Sequence, residues 1–162
     1  MTIKTILTEP NKILRQVSKP VEKVGLEERQ LMDDMLETMY HANGIGLAAI
    51  QIGVAKRIIV MDLSKKEEEK KPMFFVNPVI KNKNQNFSTY EEGCLSVPNQ
   101  FAEIERPETC EVEYLDYDGK QKIIKAEGLL ATCIQHEMDH LQGILFIDYL
   151  SKLKKSMIIK KL

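Results

Sequence analysis

The chain has 162 residues, enough for one domain with its own core. Its 43% hydrophobic content suits a globular protein, and no apolar run is long enough to cross a membrane. With 23 Lys and Arg against 24 Asp and Glu, the net charge is near zero, which argues against a general polyanion binder. The stretch MTIKTILTEPNK lacks the features of a signal peptide. We therefore expect a cytoplasmic monomer without a DNA or membrane partner.

Two helices are predicted in the first part of the chain. The triplet EPN at residues 9–11 can open a short helix that runs through Arg15. Residues 27–41 carry apolar side chains at i, i+4 spacing, which predicts an amphipathic helix that ends at Asn43-Gly44. We interpret its methionines as core residues, not as metal ligands.

Strands are predicted in the middle of the chain. The segments Arg57–Leu63 and Met73–Ile80 are strand-like, and the charged run SKKEEEKK between them predicts a solvated loop. Residues 81–88, KNKNQNFS, predict a second polar loop. Residues 110–126 alternate around the turn Asp118-Gly119, which is typical of a β-hairpin.

A final long helix is predicted from about Leu129 to Gln142, followed by a basic tail. Helices, then strands joined by hairpins, then a helix, without βαβ alternation, favour the α+β class. We expect mostly antiparallel β-sheets packed around a central C-terminal helix. Residues 1–150 would form a single catalytic domain, and residues 151–162 would be a helical tail of the same domain.

The predicted C-terminal helix carries CIQHEMDHLQG, in which His136, Glu137 and His140 form the pattern H-E-x-x-H. Residues at i and i+4 are neighbours on a helix, so both imidazoles can reach one metal ion. Glu137 lies about 100° round the helix and can reach a metal-bound water. The competing interpretation is a partly buried histidine pair without a metal. No further histidine follows in the spacing of longer zinc motifs, so a third ligand has to come from upstream.

Two upstream stretches can complete such a site. Cys94, in EEGCLSVP, would give a Cys-His-His set with a fourth position open, as in catalytic metal sites. In GIGLAAIQIG, residues 44–53, the glycines allow a ligand to approach the backbone closely. Gln51 is the one amide in that stretch, and its alternative role is a structural hydrogen bond.

Together, the three stretches resemble the peptide deformylase family. GIGLAAIQ is similar to that family's G-x-G-L-A-A-x-Q, EGCLS at residues 92–96 to its second motif, and QHEMDH at residues 135–140 to its third. The similarity extends from about Pro10 to Leu150. It implies a hydrolase that removes the N-formyl group from the formyl-methionine of newly made polypeptides and releases formate.

The resemblance also implies roles at the metal. Cys94, His136 and His140 would bind one divalent ion, with Fe²⁺ as the physiological metal and Zn²⁺, Ni²⁺ or Co²⁺ able to occupy the site. Glu137 would act as general base on a metal-bound water and then as proton donor to the leaving amine.

Further roles implied by the resemblance concern the substrate. Gln51 and the backbone N–H of Leu95 would hold the oxyanion. A formyl-Met nascent peptide would lie along the backbone like an added strand, with its methionine side chain in a pocket. The residues implied in substrate binding are Ile45, Gly46, Tyr90, Gly93, Leu129, Thr132, Cys133 and His136.

One position departs from the family pattern. Many members place an arginine three residues after the proline of C-L-S-x-P, where this chain has Phe101. We therefore expect a more apolar rim and a changed preference at the second or third substrate residue. Near this stretch, Glu92, Arg106 and Asp139 are candidates for ion pairs that orient the Cys94 loop or a histidine; the alternative is a pair on the surface.

The lysines of the tail permit two interpretations. The resemblance implies contact with the ribosome near the nascent-chain exit. The alternative is a solubilising end in which Leu153, Met157 and Ile158 pack on the body.

Two other functions compete with the deformylase interpretation. An H-E-x-x-H endopeptidase needs a third His or Glu ligand, and none is suitably placed. A zinc-stabilised binding module without catalysis predicts a closed four-ligand site, whereas the sequence offers three ligands and leaves Glu137 unexplained.

Overall fold

Three helices and seven strands make up the regular structure of the part of the chain, residues 2–162, that the computed structural model describes. The helices are α1 (Leu26–His41), α2 (Gly128–His140) and α3 (Lys152–Lys160). Short 3-10 helices cover Lys12–Arg15, Ala49–Ile52 and Phe146–Tyr149. The strands are β1 (Gly46–Ala48), β2 (Ile58–Met61), β3 (Met73–Lys83), β4 (Phe87–Cys94), β5 (Val97–Pro107), β6 (Thr109–Leu115) and β7 (Gln121–Glu127).

The strands form two antiparallel sheets. One has five strands in the order β1-β2-β3-β6-β7, and the other is the hairpin β4-β5. Helix α2 contacts β1, β6 and β7 of the larger sheet and β5 of the hairpin, so it lies between the two. The predicted α+β class, with antiparallel sheets around a C-terminal helix, is confirmed.

Helix α2 is buried on most of its circumference, which is why it is central. Ala131, Ile134 and the following Leu141 belong to the same core cluster as Phe75 and Val112 of the large sheet. A helix with apolar residues around most of its surface belongs in an interior. This burial carries the H-E-x-x-H residues into the protein with the helix.

The predicted polar loop over residues 81–88 is wrong. Strand β3 continues to Lys83 and β4 begins at Phe87, which leaves a turn of three residues. The far half of β3 pairs with β6, up to Lys83 opposite Cys110, whereas β2 pairs only with its first four residues. One edge of this half is therefore open to water, and polar side chains are tolerated there.

Helix α3 lies within the basic tail segment and packs only in part. Leu153 and Met157 are exposed, whereas Ile158 packs against the cluster that contains Val97 and Phe146. The alternative in which all three apolar residues pack on the body is therefore wrong for two of them. Among residues 2–162, no helix has the length and apolar character needed to cross a membrane.

Candidate metal centre and substrate cavity

Three side chains that can bind a metal converge between α2 and the β4-β5 hairpin. The ligand atoms of Cys94, His136 and His140 lie within 4.8 Å of one another, and no other group of this kind occurs in residues 2–162. Sγ of Cys94 is 3.4 Å from Nε2 of His140. Metal bonds of about 2.0–2.3 Å to nitrogen and sulfur let atoms this close share one ion.

The position of Cys94 follows from the shape of its hairpin. It is the last residue of β4 and pairs with Val97 across a tight connection, and the register shifts between Gly93 and Cys94. Such irregularities commonly re-aim a side chain next to a functional site. Here the side chain meets the last turn of α2.

The two histidines are held in the interior by α2. His140 is fully buried and His136 nearly so. Burial lowers the pKa of His140, and repulsion from His136 and Arg106 adds to the effect. His140 is therefore a neutral imidazole, the form that binds metals.

A buried ion pair orients His136. Nδ1 of His136 donates a hydrogen bond to Glu92 at 2.9 Å, and Arg106 binds the same carboxylate through Nε at 2.7 Å and Nη2 at 3.0 Å. Nη1 of Arg106 also donates to Asp139 at 2.8 Å. Since Glu92 and Arg106 are buried, the surface alternative for this pair is wrong. The contact to Nδ1 leaves Nε2 of His136 to face a metal, an arrangement typical of metal-binding histidines.

The charge of Glu92 is secured by its partners. Burial alone would raise the pKa of this carboxyl, but hydrogen bonds from His136 and Arg106 outweigh that effect and hold the pKa below its usual value. Glu92 is therefore ionised near neutral pH. An ionised acceptor fixes the tautomer of His136 more firmly than a neutral one would.

Glu137 lies between the ligand group and strand β1. Its Oε1 is buried without a hydrogen-bond partner in the described chain, and burial raises its pKa to about 7. A Cβ added at Gly46 would lie 2.6 Å from Oε2 of Glu137, so the carboxylate rests against the β1 backbone. An unpartnered buried carboxylate oxygen beside one sulfur and two nitrogen ligands fits a divalent metal site with an adjacent base.

Gln51 is fixed at both ends of its amide. Its Oε1 accepts from the backbone N–H of Ala48 at 2.9 Å, and its Nε2 donates to Oγ of Ser96 at 3.0 Å. The same Nε2 is 3.6 Å from Sγ of Cys94. The amide nitrogen therefore faces the metal ligands. The contribution of Ser96 was missed by sequence reasoning, and its only signal was a hydroxyl two residues after Cys94.

Cys133 belongs to the wall of the site and not to its ligands. Burial raises the pKa of this thiol to about 12, and the negative charge of Glu137 adds to the effect. The ligand group consists of Cys94, His136 and His140, and Cys133 lines the cavity beside it.

A cavity of about 490 Å³ opens beside the ligand group. Its rim includes Phe101, whose side chain is 64% exposed and packs against Gly93 so closely that a Cβ there would lie 2.6 Å from the ring. Leu95 also lines the cavity. The cavity is also lined by all the residues predicted to bind substrate: Ile45, Gly46, Tyr90, Gly93, Leu129, Thr132, Cys133 and His136.

Comparison with known proteins agrees with this geometry. The model of a family described as polypeptide deformylase matches residues 3–156. The chain belongs to this family. The peptide deformylase of Pelagibacter ubique is 78% identical over 162 residues, which cover 100% of this chain and 94% of that protein. The peptide deformylase of Rhizobium meliloti is 58% identical over 161 residues, which cover 99% of this chain and 92% of that protein.

Solved deformylase structures share the fold. The peptide deformylase of Ehrlichia chaffeensis in complex with actinonin is 47% identical and has a TM-score of 0.95, with 99% of this chain and 96% of that chain covered. The peptide deformylase of Legionella pneumophila is 44% identical and has a TM-score of 0.92, with 99% of this chain and 93% of that chain covered. The chain is thus a metalloenzyme of the deformylase family that removes the N-formyl group from nascent peptides.

The contact between Gly46 and Glu137 predicts a sensitive position. In Gly46→Ala the new methyl group must displace the carboxylate, and a displacement of about 1 Å in an active site can cost about 100-fold in rate. We expect kcat for a formyl-Met peptide to fall by about that factor while the metal content stays at the wild-type level. Gly25→Ala is the matched control, because its added Cβ meets nothing closer than 3.4 Å. Wild-type kcat in Gly46→Ala would contradict the prediction.

Proposed function

We propose that Cys94, His136 and His140 hold the metal of this deformylase and that Glu137 is its general base. The observation that carries the proposal is the convergence of the three ligand atoms beside a buried carboxylate with an unpartnered oxygen. A divalent ion bound there would supply Lewis acidity, which polarises a carbonyl and acidifies water.

In this mechanism Glu137 moves the proton. Its carboxylate accepts a proton from the attacking water and then gives it to the amine nitrogen as the C–N bond breaks. Burial and the contact with the β1 backbone at Gly46 limit the positions that the carboxylate can take. Formate and the free amine are the products.

Gln51 and the backbone N–H of Leu95 would stabilise the oxyanion. The support for Gln51 is its fixed amide, whose nitrogen faces Cys94. The support for Leu95 is the packing of its side chain on Gly44, where a Cβ would lie 2.6 Å from its Cδ1, so the tip of the hairpin is held in place. One such donor is typically worth about 3–4 kcal/mol in the transition state.

The cavity would take the methionine side chain, and the peptide would lie along the adjacent backbone. Ile45, Gly46 and Gly93 would provide its main-chain partners, since β1 is an edge of the larger sheet. The side-chain pocket would be formed by Ile45, Tyr90, Leu129, Thr132, Cys133 and His136.

We propose Fe²⁺ as the physiological metal, with Zn²⁺, Ni²⁺ or Co²⁺ able to replace it. The deciding experiment measures metal content and formate release on protein purified without oxygen, with formyl-Met-Ala-Ser and its unformylated counterpart as substrates. Iron in the protein and formate from the formylated peptide are expected, with activity that fades in air and survives with nickel or cobalt. Cleavage of the unformylated peptide would indicate an endopeptidase, and metal without formate release would indicate a binding module.

The role of Glu137 predicts a separation of metal binding from turnover. Glu137→Ala keeps all three ligands, so its metal content should equal that of the wild type. Its turnover should fall by several orders of magnitude, because a positioned general base alone contributes about 10²–10⁴-fold. Glu103→Ala, at an exposed position of the β4-β5 hairpin, is the control. Normal turnover in Glu137→Ala would exclude it as the base.

The exposed ring of Phe101 predicts a preference beyond methionine. In a formyl-Met-X series, apolar X should react faster than acidic or basic X, because the ring offers apolar surface at the rim. Phe101→Arg should shift the preference toward acidic X. Phe87→Arg is the matched control, since Phe87 is 59% exposed on β4 but does not line the cavity. Equal rates for all classes of X in the wild type would refute the preference.

We also propose that α3 contacts the ribosome, which would place the enzyme in the cytoplasm near nascent chains. Support comes from its exposed cations, Lys152, Lys154 and Lys160, beside the exposed Leu153 and Met157.

Deleting residues 152–162 should weaken salt-dependent ribosome binding while turnover of a short formylated peptide is unchanged. Reversing the charge of Lys152, Lys154 and Lys160 is the companion variant, since it leaves the packing of Ile158 on the body intact. Unchanged ribosome binding in both variants would rule out the contact.

A further inference from the structure

A second groove lies on the side of α2 away from the substrate cavity. Its volume is about 1080 Å³, and the far half of β3, the base of the β4-β5 hairpin and the outer face of α2 line it. Arg106, Asp139 and Tyr149 belong to this lining. The side chain of Arg106 is only 5% exposed, so it separates the groove from the metal site.

A continuous chain of hydrogen bonds joins this groove to the metal ligand His136. The hydroxyl of Tyr149 donates to Oδ2 of Asp139 at 2.7 Å, and Nη1 of Arg106 donates to the same oxygen at 2.8 Å. The other side of the guanidinium binds Glu92, whose Oε1 accepts from Nδ1 of His136 at 2.9 Å. Each link uses a charged partner, and such bonds are stronger and more directional than neutral ones.

We propose that Tyr149 is a positioning residue for the metal centre and acts through Asp139, Arg106 and Glu92 on His136. The inference rests on the proposed metal ligands and extends them to a residue that touches neither the metal site nor the substrate cavity. The hydrogen-bond network that orients His136 would then begin at Tyr149, in the groove.

Tyr149 holds Arg106 in two ways. Its hydroxyl fixes the carboxylate that binds Nη1, and its ring lies under the guanidinium, with the Arg106 Cζ 5.0 Å from the ring centroid. Asp139 is 20% exposed, so without the hydroxyl its carboxylate can turn toward water. Arg106 would then keep Glu92 and the ring but lose a fixed partner at Nη1, and the Glu92 contact to His136 would become less well fixed.

The backbone around Tyr149 gives its hydroxyl a defined place. Tyr149 ends the 3-10 helix Phe146–Tyr149, in which Phe146 and Ile147 are buried. The adjacent Asp148 accepts hydrogen bonds from Arg15 at 2.5 Å and from the backbone N–H of Leu145 at 3.1 Å. Although Tyr149 is 51% exposed, the residues directly before it are therefore anchored.

The test compares Tyr149→Phe with the wild type, using cobalt(II) as the metal probe. Two properties of the site are measured: the cobalt dissociation constant by competition with a chelator, and the visible absorption spectrum of the cobalt-loaded protein. We expect the dissociation constant to rise about 3- to 10-fold, at or below the low end of the 10–100-fold range for residues that contact a ligand directly. The spectrum should shift, and kcat for formyl-Met-Ala-Ser should fall with KM within about twofold.

Tyr117→Phe is the matched control. Tyr117 also donates to an aspartate, Asp33 on α1 at 3.1 Å, but it belongs neither to the substrate cavity nor to the groove. This variant should keep the wild-type cobalt affinity, spectrum and kcat. A general effect of losing a tyrosine hydroxyl would change both variants alike.

A double-mutant cycle tests whether the effect passes through Asp139. If Tyr149 acts through this carboxylate, Tyr149→Phe should add little to Asp139→Asn, because members of one network are not additive. Additive effects, or a Tyr149→Phe protein with wild-type cobalt affinity and spectrum, would overturn the positioning role. Failure of the wild type to bind cobalt would instead overturn the metal assignment, and this inference with it.

Discussion

A helix that carries two histidines and a glutamate through the middle of a protein removes polar groups from water at considerable cost. In α2 that cost is offset at His136, which donates to Glu92, while Arg106 neutralises the carboxylate. Buried charges are tolerated when they are paired and hydrogen-bonded. The opposite case is Glu137, which keeps one oxygen without a partner. Of the two ligand histidines only His136 has such a partner, because Nδ1 of His140 is buried without one in residues 2–162. The unpartnered oxygen of Glu137 can accept a hydrogen bond from a group bound in the site.

The β4-β5 hairpin is the element that makes this arrangement workable. It supplies Glu92 to orient one ligand, Cys94 as another ligand and, on the opposite strand, Arg106 as the counter-charge. The same hairpin carries Tyr90, Gly93 and Phe101, which line the cavity. One short hairpin therefore serves both the metal site and the substrate site.

The sequence predicted those features that depend on local pattern. The periodicity of α1, the hairpin around Asp118-Gly119 and the i, i+4 spacing of His136 and His140 all have short-range signals, and the structure agrees with them. Cys94 could be predicted because the H-E-x-x-H motif supplies only two metal ligands and because the family resemblance implied the third.

Features that depend on tertiary contacts were not predictable in the same way. The strand character of residues 81–83 comes from pairing with β6, which overrides their polar composition. Ser96 supports Gln51 from 45 residues away, and Tyr149 reaches Asp139 only because of the turn after α2. A single sequence does not reveal such partners, since a serine or tyrosine with a long-range hydrogen bond cannot be distinguished there from one on a surface segment.

The central place of α2 also bears on how the protein is made. Synthesis runs from the N-terminus, so the strands of both sheets are synthesised before the helix that packs between them. Until then the inner faces of the sheets lack their main apolar partner, and Cys94 lacks both histidines. A nascent copy cannot assemble its own metal site until α2 has left the ribosome. Folding, metal capture and the onset of activity are therefore tied to one late event, the docking of α2.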